Sequence, residues 1–384
     1  MMKTIEILQQ LVAFETVSSE SNIELINFIR DFLTQRGFDI VELPNSDGTK
    51  AGLFASLGPN EGGVLLSGHT DVVPVEGQIW TKDPFKLTEE DGLLYGRGTT
   101  DMKGFVAAAL CLADQASKVE LKEPLKLAFS YDEEVCCVGI KEMLPELKDL
   151  LGTPRFCIVG EPSEMKVVTG HKGKAAIRAT FHGQSGHSAL APLFVNALHM
   201  AQDFALGLRK LQEEYKHSGA QDPDYEVPYS TIHMGMLQGG LALNIVPDLA
   251  TLDFEYRHIF EDDPNKIFAK IEEIAKDIEG KYKEQYEGAC IEIDRYNEYP
   301  GLNTDVQSEV VKKVQFLAQS NSISKVAFGT EAGYFDGLGI PTVVCGPGSM
   351  SAQGHKPDEN ISISQLAACD AMLQRLLLQL SNSK

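Results

Sequence analysis

The sequence predicts an α/β fold: a mostly parallel mixed sheet flanked by helices, with an inserted ferredoxin-like α+β domain. Short, continuous apolar runs alternate with helical patterns near both ends of the chain, as expected for strands that are buried on both faces. Between about residues 175 and 296, apolar and polar residues instead alternate, which is typical of a half-solvated antiparallel sheet. We therefore expect residues 1–174 and 297–384 to form one domain and residues 175–296 to form a second domain inserted into it.

Two helices open the first predicted domain. Apolar residues recur at helical spacing over residues 4–14. Ser21 and Glu24 have the spacing of a capping box that begins a second helix, which Gly37 ends. Buried strands are then predicted at residues 53–57, 64–67, 125–131, 156–159 and 342–345, and a helix is predicted at residues 101–119.

The elements predicted for the inserted domain follow the order β-α-β-β-α-β, which is that of the ferredoxin-like fold. Its strands are predicted at residues 175–181, 231–237, 249–257 and 290–296, and its helices at residues 194–215 and 265–286. A sheet of this kind has one face in the core and one face in solvent.

The composition narrows the function to small-molecule chemistry. The chain of 384 residues is long enough for two domains or slightly more, and its 55 acidic and 34 basic residues give a net charge of −21. Such a balance disfavours nucleic-acid binding, which depends on neutralising phosphates, and disfavours docking on an anionic membrane. A small-molecule enzyme remains, with either a cationic substrate or a metal site built from carboxylates.

Cysteine usage and the N-terminal sequence indicate a cytoplasmic protein. Seven cysteines without a C-x-x-C motif fit neither a disulfide framework nor a zinc ribbon. Glu6 and Glu15 interrupt the apolar stretch that a signal peptide needs. The longest apolar run, residues 105–113, is shorter than the roughly 20 residues of a membrane span.

Acidic and histidine residues follow the predicted buried strands. Ligand sites in open α/β sheets lie outside the carboxyl ends of the strands, so these side chains should converge on one crevice. Taken singly, Asp101 would be a helix cap and His69 a structural histidine. Several carboxylates in one crevice, however, repel one another unless a cation compensates them. The ligands predicted for one or two divalent metal ions are His69, Asp101, Glu134, Glu161 and His355.

Five motifs occur in a fixed order along nearly the whole chain. They are SGHTDVVP (67–74), GRGTTDMKG (96–104), DEE (132–134), GEP (160–162) and GHKPDE (354–359). Together they resemble the co-catalytic zinc aminoacylase/carboxypeptidase family, which includes acetylornithine deacetylase, succinyl-diaminopimelate desuccinylase and carboxypeptidase G. The fold that this resemblance implies, a zinc catalytic domain interrupted by a dimerisation lid, agrees with the two predicted domains.

The resemblance implies two divalent metal ions per subunit, zinc or cobalt. His69 and Glu161 would hold one ion, Glu134 and His355 the other, and Asp101 would bridge them.

The same motifs imply the residues that act beside the metal ions. Glu133 corresponds to the general base, and Asp71 to the acid that orients His69. The peptide between Asp101 and Met102 is typically cis in this family. Glu133 and Glu134 are adjacent and point in opposite directions along an extended segment, so one can bind metal while the other faces water.

The inserted domain carries two further motifs of the family. In GQSGHSA (183–189), His187 corresponds to a histidine that reaches across a dimer into the partner's site. In GGLALNIVP (239–247), Asn244 corresponds to an asparagine that contacts substrate. Arg257 corresponds to an arginine that holds the substrate carboxylate. The resemblance therefore implies a homodimer formed through the inserted domain.

The substrate is indicated by the segment FGTEA (328–332), which contains Thr330 and Glu331. It resembles the corresponding segment of acetylornithine deacetylases, whereas desuccinylases carry a Ser/Thr-Gly-Gly-Thr-Ser-Asp type sequence there. The resemblance implies hydrolysis of N-acetyl-L-ornithine to acetate and L-ornithine, a step of arginine biosynthesis. The alternatives are succinyl-diaminopimelate desuccinylase, another N-acyl-amino-acid hydrolase or carboxypeptidase, and a non-catalytic metal-binding relative. A Ser-His-Asp hydrolase is disfavoured because the sequence has no G-x-S-x-G motif.

Overall fold

The computed structural model describes residues 3–381, and the chain forms two compact units. The first unit comprises Met1–Gly170, Leu302–Lys325 and Thr330–Lys384, and the second comprises His171–Gly301 and Val326–Gly329. The second unit is therefore slightly longer than residues 175–296, and it also takes in residues 326–329.

Helices and strands are interspersed along the described chain. The helices are α1 (Thr4–Val12), α2 (Ile23–Thr34), α3 (Lys103–Ala116), α4 (Val138–Leu151), α5 (Ala197–Ser218), α6 (Pro264–Lys283), α7 (Glu309–Ala318), α8 (Ala332–Gly337) and α9 (Ile363–Ser381), with a 3₁₀ helix at Ser188–Leu193. The strands are β1 (Asp39–Pro44), β2 (Ala51–Leu57), β3 (Val64–His69), β4 (Thr88–Glu90), β5 (Leu93–Tyr95), β6 (Leu125–Ser130), β7 (Phe156–Pro162), β8 (Val167–His171), β9 (Gly173–His182), β10 (Gly186–His187), β11 (Thr231–Gly239), β12 (Ile245–Val246), β13 (Leu249–His258), β14 (Cys290–Tyr299), β15 (Leu302–Asn303), β16 (Ile323–Val326), β17 (Thr342–Gly346) and β18 (Asn360–Ser362).

A mixed sheet forms the centre of the first unit, in the order β1-β2-β6-β3-β7-β17-β8-β15. The four central strands β6, β3, β7 and β17 run parallel, whereas β1, β2 and β8 pair antiparallel with their neighbours. Every residue of β3, β6 and β7 is buried, which explains their continuous apolar sequences. The predicted α/β class with a mostly parallel mixed sheet is confirmed.

Helix α3 lies in the middle of the core of the first unit. It packs against α1 and α9, and almost all of its side chains are buried, as expected for a helix that is apolar on every side. The start of α2 differs from the prediction. Its N-cap residue is Asn22 instead of Ser21, and the hydroxyl of Ser21 donates to the carbonyl of Thr49 at 2.6 Å. The Ser21 oxygen also accepts from the backbone N–H of Ile23 at 3.3 Å. The predicted capping box is wrong, because the helix begins after Asn22.

Two glycines allow α3 to lie close to the strand ends. Gly68 and Gly160 each precede a predicted metal ligand, and both are buried. A Cβ atom on Gly160 would overlap the ring of Phe105, and one on Gly68 would come within 2.7 Å of the Met102 methyl carbon. The close packing of α3 and of Met102, which precedes it, therefore requires a glycine before each of these two ligands.

The second unit is an antiparallel sheet in the order β11-β13-β9-β14, with helices α5 and α6. Its element order is β-α-β-β-α-β, so the predicted ferredoxin-like arrangement is confirmed. Along β13, buried residues alternate with less buried ones. Phe181, Phe204 and Phe254 form edge-to-face contacts in the core of this unit, with ring centroids 5.5 and 5.7 Å apart. In the described part of the chain, we find no helix with the length and apolar character of a membrane span.

We expect the substitution Gly160→Ala to destabilise the protein. The added methyl group would overlap the Phe105 ring, and overpacking of this kind costs about 1–3 kcal/mol of the free energy of unfolding. Gly280→Ala is the matched control, because a Cβ there has no atom within 4 Å in the exposed helix α6 and should stabilise by about 0.5–1 kcal/mol. Urea denaturation measures both changes. Equal effects of the two substitutions would contradict the packing interpretation.

Candidate metal centre

The predicted ligands meet at the carboxyl ends of the parallel strands of the first unit. His69 ends β3, Glu161 lies near the end of β7, Glu134 follows β6, and Asp101 precedes α3. His355 lies in the loop between β17 and β18. This edge of the sheet is where ligand sites of open α/β folds are found.

Asp101 lies between the two histidines. One carboxylate oxygen, Oδ1, is 3.1 Å from Nε2 of His69, and the other, Oδ2, is 3.2 Å from Nε2 of His355. Oε1 of Glu161 is 3.7 Å from the same His69 nitrogen, and Oε2 of Glu134 is 3.0 Å from the same His355 nitrogen. The five side chains therefore form two groups, one at each histidine, with Asp101 in contact with both. Its peptide bond to Met102 is cis, as the resemblance implied.

The two groups differ in exposure. His69, Asp101 and Glu161 are almost completely buried, whereas the side chain of His355 is 49% exposed. His355 also has a positive φ of 60°, in a loop without regular structure. Since the Glu134 side chain is only 6% exposed, solvent reaches this group of ligands at His355.

The glutamates of this centre are buried, and burial disfavours their ionised form. Burial and the negative charge of Asp101 together raise the pKa of Glu134 to about 7, against the effect of His355. Burial also raises the pKa of Glu161 well above its usual range, together with the charges of the neighbouring carboxylates. Among the described residues, the buried Oε1 atoms of Glu134 and Glu161 have no hydrogen-bond partner. Buried, unpartnered carboxylate oxygens are what a cation would bind.

The pKa values of the two histidines are raised as well. Hydrogen bonds to Asp101 and Glu134 raise the pKa of His355 to about 10, although burial opposes them. Burial lowers the pKa of His69, but the charges of Glu161 and Asp101 outweigh it, and the pKa lies well above its usual range. Protons on the two histidines would therefore balance the carboxylates when no cation is bound. A divalent cation would replace these protons and bind the neutral rings, so the donor set fits metal ions.

Asp71 supports both His69 and the paired glutamates. Nδ1 of His69 is 3.0 Å from the backbone carbonyl of Asp71 and 3.4 Å from its carboxylate, so the closer contact is to the backbone. The Asp71 carboxylate accepts hydrogen bonds from the Ser18 hydroxyl at 2.6 Å and from the backbone N–H groups of Glu133 and Glu134 at 3.1 and 3.3 Å. Asp71 thus fixes the ring of His69 and leaves Nε2 of that ring for a metal ion. It also fixes the turn that carries the two glutamates.

Glu133 lies within the same cluster, next to a thiol that the sequence analysis did not identify. An oxygen of Glu133 lies within 4.8 Å of ligand atoms of His69 and Glu161. The thiol of Cys137 donates to Oε1 of Glu133 at 3.4 Å. Burial and the Glu133 charge raise the pKa of this thiol well above its usual range, so it stays protonated and can donate. The sequence shows only a Cys-Cys pair near the DEE motif, with nothing to indicate this contact.

Thr330 and Glu331 are buried in the first unit. The Thr330 hydroxyl accepts from the backbone N–H of Ala332 at 3.0 Å. Glu331 is 1% exposed, and burial raises its pKa to about 7. Its Oε2 is 3.5 Å from the Ser67 hydroxyl. Contact of these two side chains with a substrate stays a prediction, because neither is exposed.

The predicted substrate-binding residues of the inserted domain lie in the second unit. His187, in β10, pairs with Ile245 in β12, and Ser188 donates to the carbonyl of Asn244 at 3.1 Å, which brings the two motifs side by side. Arg257 donates from Nε to Glu255 at 2.9 Å. His187 and Asn244 are both exposed.

The motifs, the fold and the site agree with a family assignment. The family described as Peptidase family M20/M25/M40 matches residues 65–379. The chain belongs to this family. It is therefore a metallo-hydrolase of the M20 type, and the resemblance inferred from the sequence motifs is confirmed.

Relatives within the family support this assignment at the level of sequence and fold. The chain is 32% identical over 381 residues to acetylornithine deacetylase of Pasteurella multocida (strain Pm70), covering 96% of each chain. Its fold is similar to that of an M20 family metallo-carboxypeptidase from Sulfolobus solfataricus, with a TM-score of 0.80, 21% identity and 99% coverage of each chain. It is also similar to a dinuclear metal binding M20 peptidase from Bacillus subtilis, with a TM-score of 0.68, 16% identity and coverage of 98% and 97%.

The position of Glu133 allows two roles, ligand or base, and a pair of variants separates them. As a base, Glu133→Gln should keep about two zinc ions per chain and lower kcat by about 10²–10⁴-fold. Glu161→Gln, the control, should lose zinc because it removes a ligand oxygen from the buried group. Elemental analysis of zinc-loaded protein and steady-state kinetics measure these effects. Loss of zinc from Glu133→Gln equal to that from Glu161→Gln, or normal turnover by Glu133→Gln, would reject the base assignment.

Proposed function

We propose that this protein is a two-metal amidohydrolase that cleaves N-acetyl-L-ornithine to acetate and L-ornithine, a step of arginine biosynthesis. The observation that carries the two-metal chemistry is Asp101, whose two carboxylate oxygens lie 3.1 and 3.2 Å from different histidines. The substrate assignment is supported by the 32% identity to the Pasteurella enzyme along 96% of the chain and by the FGTEA segment.

The proposed cofactors are two divalent ions, zinc or cobalt. Imidazole nitrogen and carboxylate oxygen suit both metals. His69 and Glu161 would hold one ion, Glu134 and His355 the other, and Asp101 would bridge them. When bound, such ions acidify a water molecule and polarise the carbonyl of the scissile amide. The dinuclear relative from Bacillus subtilis is consistent with this number of ions.

Glu133 would move the proton. Burial raises its pKa well above the usual range, and the charges of Glu134 and Asp101 add to this, against that of His69. A carboxylate with a raised pKa can take a proton from the attacking water and pass it to the nitrogen of the leaving amine. Cys137 would hold the Glu133 side chain in place through its hydrogen bond to Oε1. Asp71 would hold the backbone of the same turn.

Substrate recognition would use the binding residues that the motifs indicate. Arg257 would bind the α-carboxylate through its planar guanidinium, and Asn244 would contact the substrate. Thr330 and Glu331 would bind at the ornithine end, where a carboxylate suits the side-chain ammonium. His187 would donate to the oxyanion that forms when water attacks the amide.

We further propose a homodimer in which His187 serves the partner's site. Large apolar side chains surround the motif that carries His187 and are exposed in the second unit: Leu190, Leu193, Leu241 and Leu243 are 52%, 68%, 91% and 101% exposed. Several large apolar side chains exposed on neighbouring segments are typical of protein interaction sites. An exposed histidine within such a surface is suited to act in a neighbouring subunit.

The substrate proposal predicts the order of three kcat/KM values for the zinc- or cobalt-loaded enzyme. The kcat/KM for N-acetyl-L-ornithine should exceed the values for N-succinyl-diaminopimelate and N-acetylmethionine by about 100-fold. The reason is that the site must pair with the ornithine ammonium and accommodate a small acyl group. Enzyme treated with a chelator is the control and should hydrolyse none of them. A preference for the succinyl substrate would contradict the substrate assignment. Failure of the loaded enzyme to hydrolyse any of the three would contradict the proposed reaction.

The dimer proposal predicts complementation between inactive variants. In a mixture of His187→Ala and Glu133→Gln subunits, a mixed dimer contains one site with both residues intact, so exchange should restore about a quarter of wild-type activity. A mixture of Glu133→Gln and Glu161→Gln is the control and should stay inactive, because these residues belong to the same chain's site. Subunit exchange is checked with differently tagged chains. Exchange without recovery, or a fully active monomer at nanomolar concentration, would contradict the proposal.

A further inference from the structure

A buried glutamate outside the ligand set holds the turn that carries Asp101. Glu359 is 1% exposed, and its carboxylate accepts four hydrogen bonds. Oε1 accepts from the backbone N–H groups of Thr100 at 2.9 Å and Asp101 at 3.1 Å. Oε2 accepts from the N–H of Gly98 at 3.0 Å and from Nη1 of Arg97 at 2.8 Å. All four donors lie in the turn that ends at Asp101.

Arg97 extends this contact to two other segments. Its guanidinium is also buried, and it donates to the carbonyl of Pro74 at 3.3 Å and to Oε1 of Gln78 at 2.5 Å, both of which follow His69 in the chain. It donates to the carbonyl of Lys356 at 3.3 Å, next to His355. Gln78 in turn donates to the carbonyl of His355 at 3.0 Å. The buried ion pair therefore joins the segments that carry three of the predicted ligands.

These contacts matter because two of the ligands come from irregular backbone. His69 and Glu161 lie in central strands, whose ladders fix their positions. Asp101 and His355 lie in turns, and such segments depend on side-chain contacts for their position. Groups that hold metal ligands in place contribute to metal affinity without touching the metal.

We propose that Glu359, paired with Arg97, is a positioning residue that sets the distance between Asp101 and His355 and thereby the affinity for metal ions. This proposal rests on the metal centre of the proposed function. Glu359 receives the N–H of Asp101 and lies four residues after His355, so one buried carboxylate fixes both turns relative to each other. Arg97 supplies a positive charge 2.8 Å from this buried carboxylate.

A second buried ion pair of the same unit provides the control. Asp114, in the last turn of α3, is 5% exposed and pairs with Arg36 at 2.9 Å and with Lys118 at 2.6 Å. Its ion-pair partners, Arg36 and Lys118, are neither predicted ligands nor part of the ligands' turns. The variants Glu359→Gln and Asp114→Asn remove the same charge by the same chemical change. A purely structural effect of losing a buried charge should therefore appear in both.

The test measures zinc affinity of the metal-free protein by competition with a chromophoric chelator, without substrate. Glu359→Gln should bind zinc about 10–100-fold more weakly. The amide N–H₂ of the glutamine cannot accept the hydrogen bonds that one carboxylate oxygen accepts, so the turn with Asp101 is no longer held. Asp114→Asn should bind zinc within about twofold of wild type, since distant sites act independently. Denaturation of both variants shows how much stability each has lost.

The outcomes separate the positioning role from the proposed function. Wild-type affinity in Glu359→Gln, or an equal loss in Asp114→Asn, overturns the positioning role while leaving the metal centre intact. A wild-type protein that binds no zinc overturns the metal centre itself. Where Glu359→Gln does not fold, Arg97→Lys is measured in the same way. It keeps the charge but cannot make the forked contacts, so it should also weaken zinc binding, and unchanged binding there overturns the proposal.

Discussion

The concentration of negative charge at the end of the parallel sheet is the constraint on which the rest of the site depends. Glu133, Glu134 and Glu161 lie in one largely buried cluster with Asp101, and burial alone raises the pKa of each glutamate. Such a cluster is stable only with positive charge beside it. The histidine protons provide that charge in one state, and divalent cations would provide it in the other. The affinity for cations is thus a property of the folded sheet.

The surrounding structure serves to keep this charge cluster in one geometry. The parallel strands place His69 and Glu161, and the glycines before them let α3 pack against the same strand ends. Asp71 binds the turn with the paired glutamates, and Glu359 binds the turn with Asp101. Polar groups that do not touch a metal ion therefore account for much of the order of the site.

The pattern of apolar residues in the sequence was sufficient to predict the fold and to select the candidate ligands. Continuous apolar runs reflect strands covered on both faces, and the residues that follow them necessarily meet at one sheet edge. Local details were less predictable. Ser21 has the spacing of a cap, but its hydroxyl donates to Thr49. Glu359 is separated from Asp101 by 258 residues, and no periodic pattern indicates such a contact. The Cys137 contact with Glu133 likewise depends on backbone geometry, with a positive φ of 55° at Cys137.

The unequal exposure of the two histidines has a kinetic consequence. The His69 side chain is 1% exposed, whereas that of His355 is 49% exposed. An ion held on the His355 side would exchange with water and small chelators directly, while one held on the His69 side would leave only after its neighbours had moved. The two halves of the centre would therefore release and acquire their ions at different rates, in a fixed order that the burial of the sheet imposes.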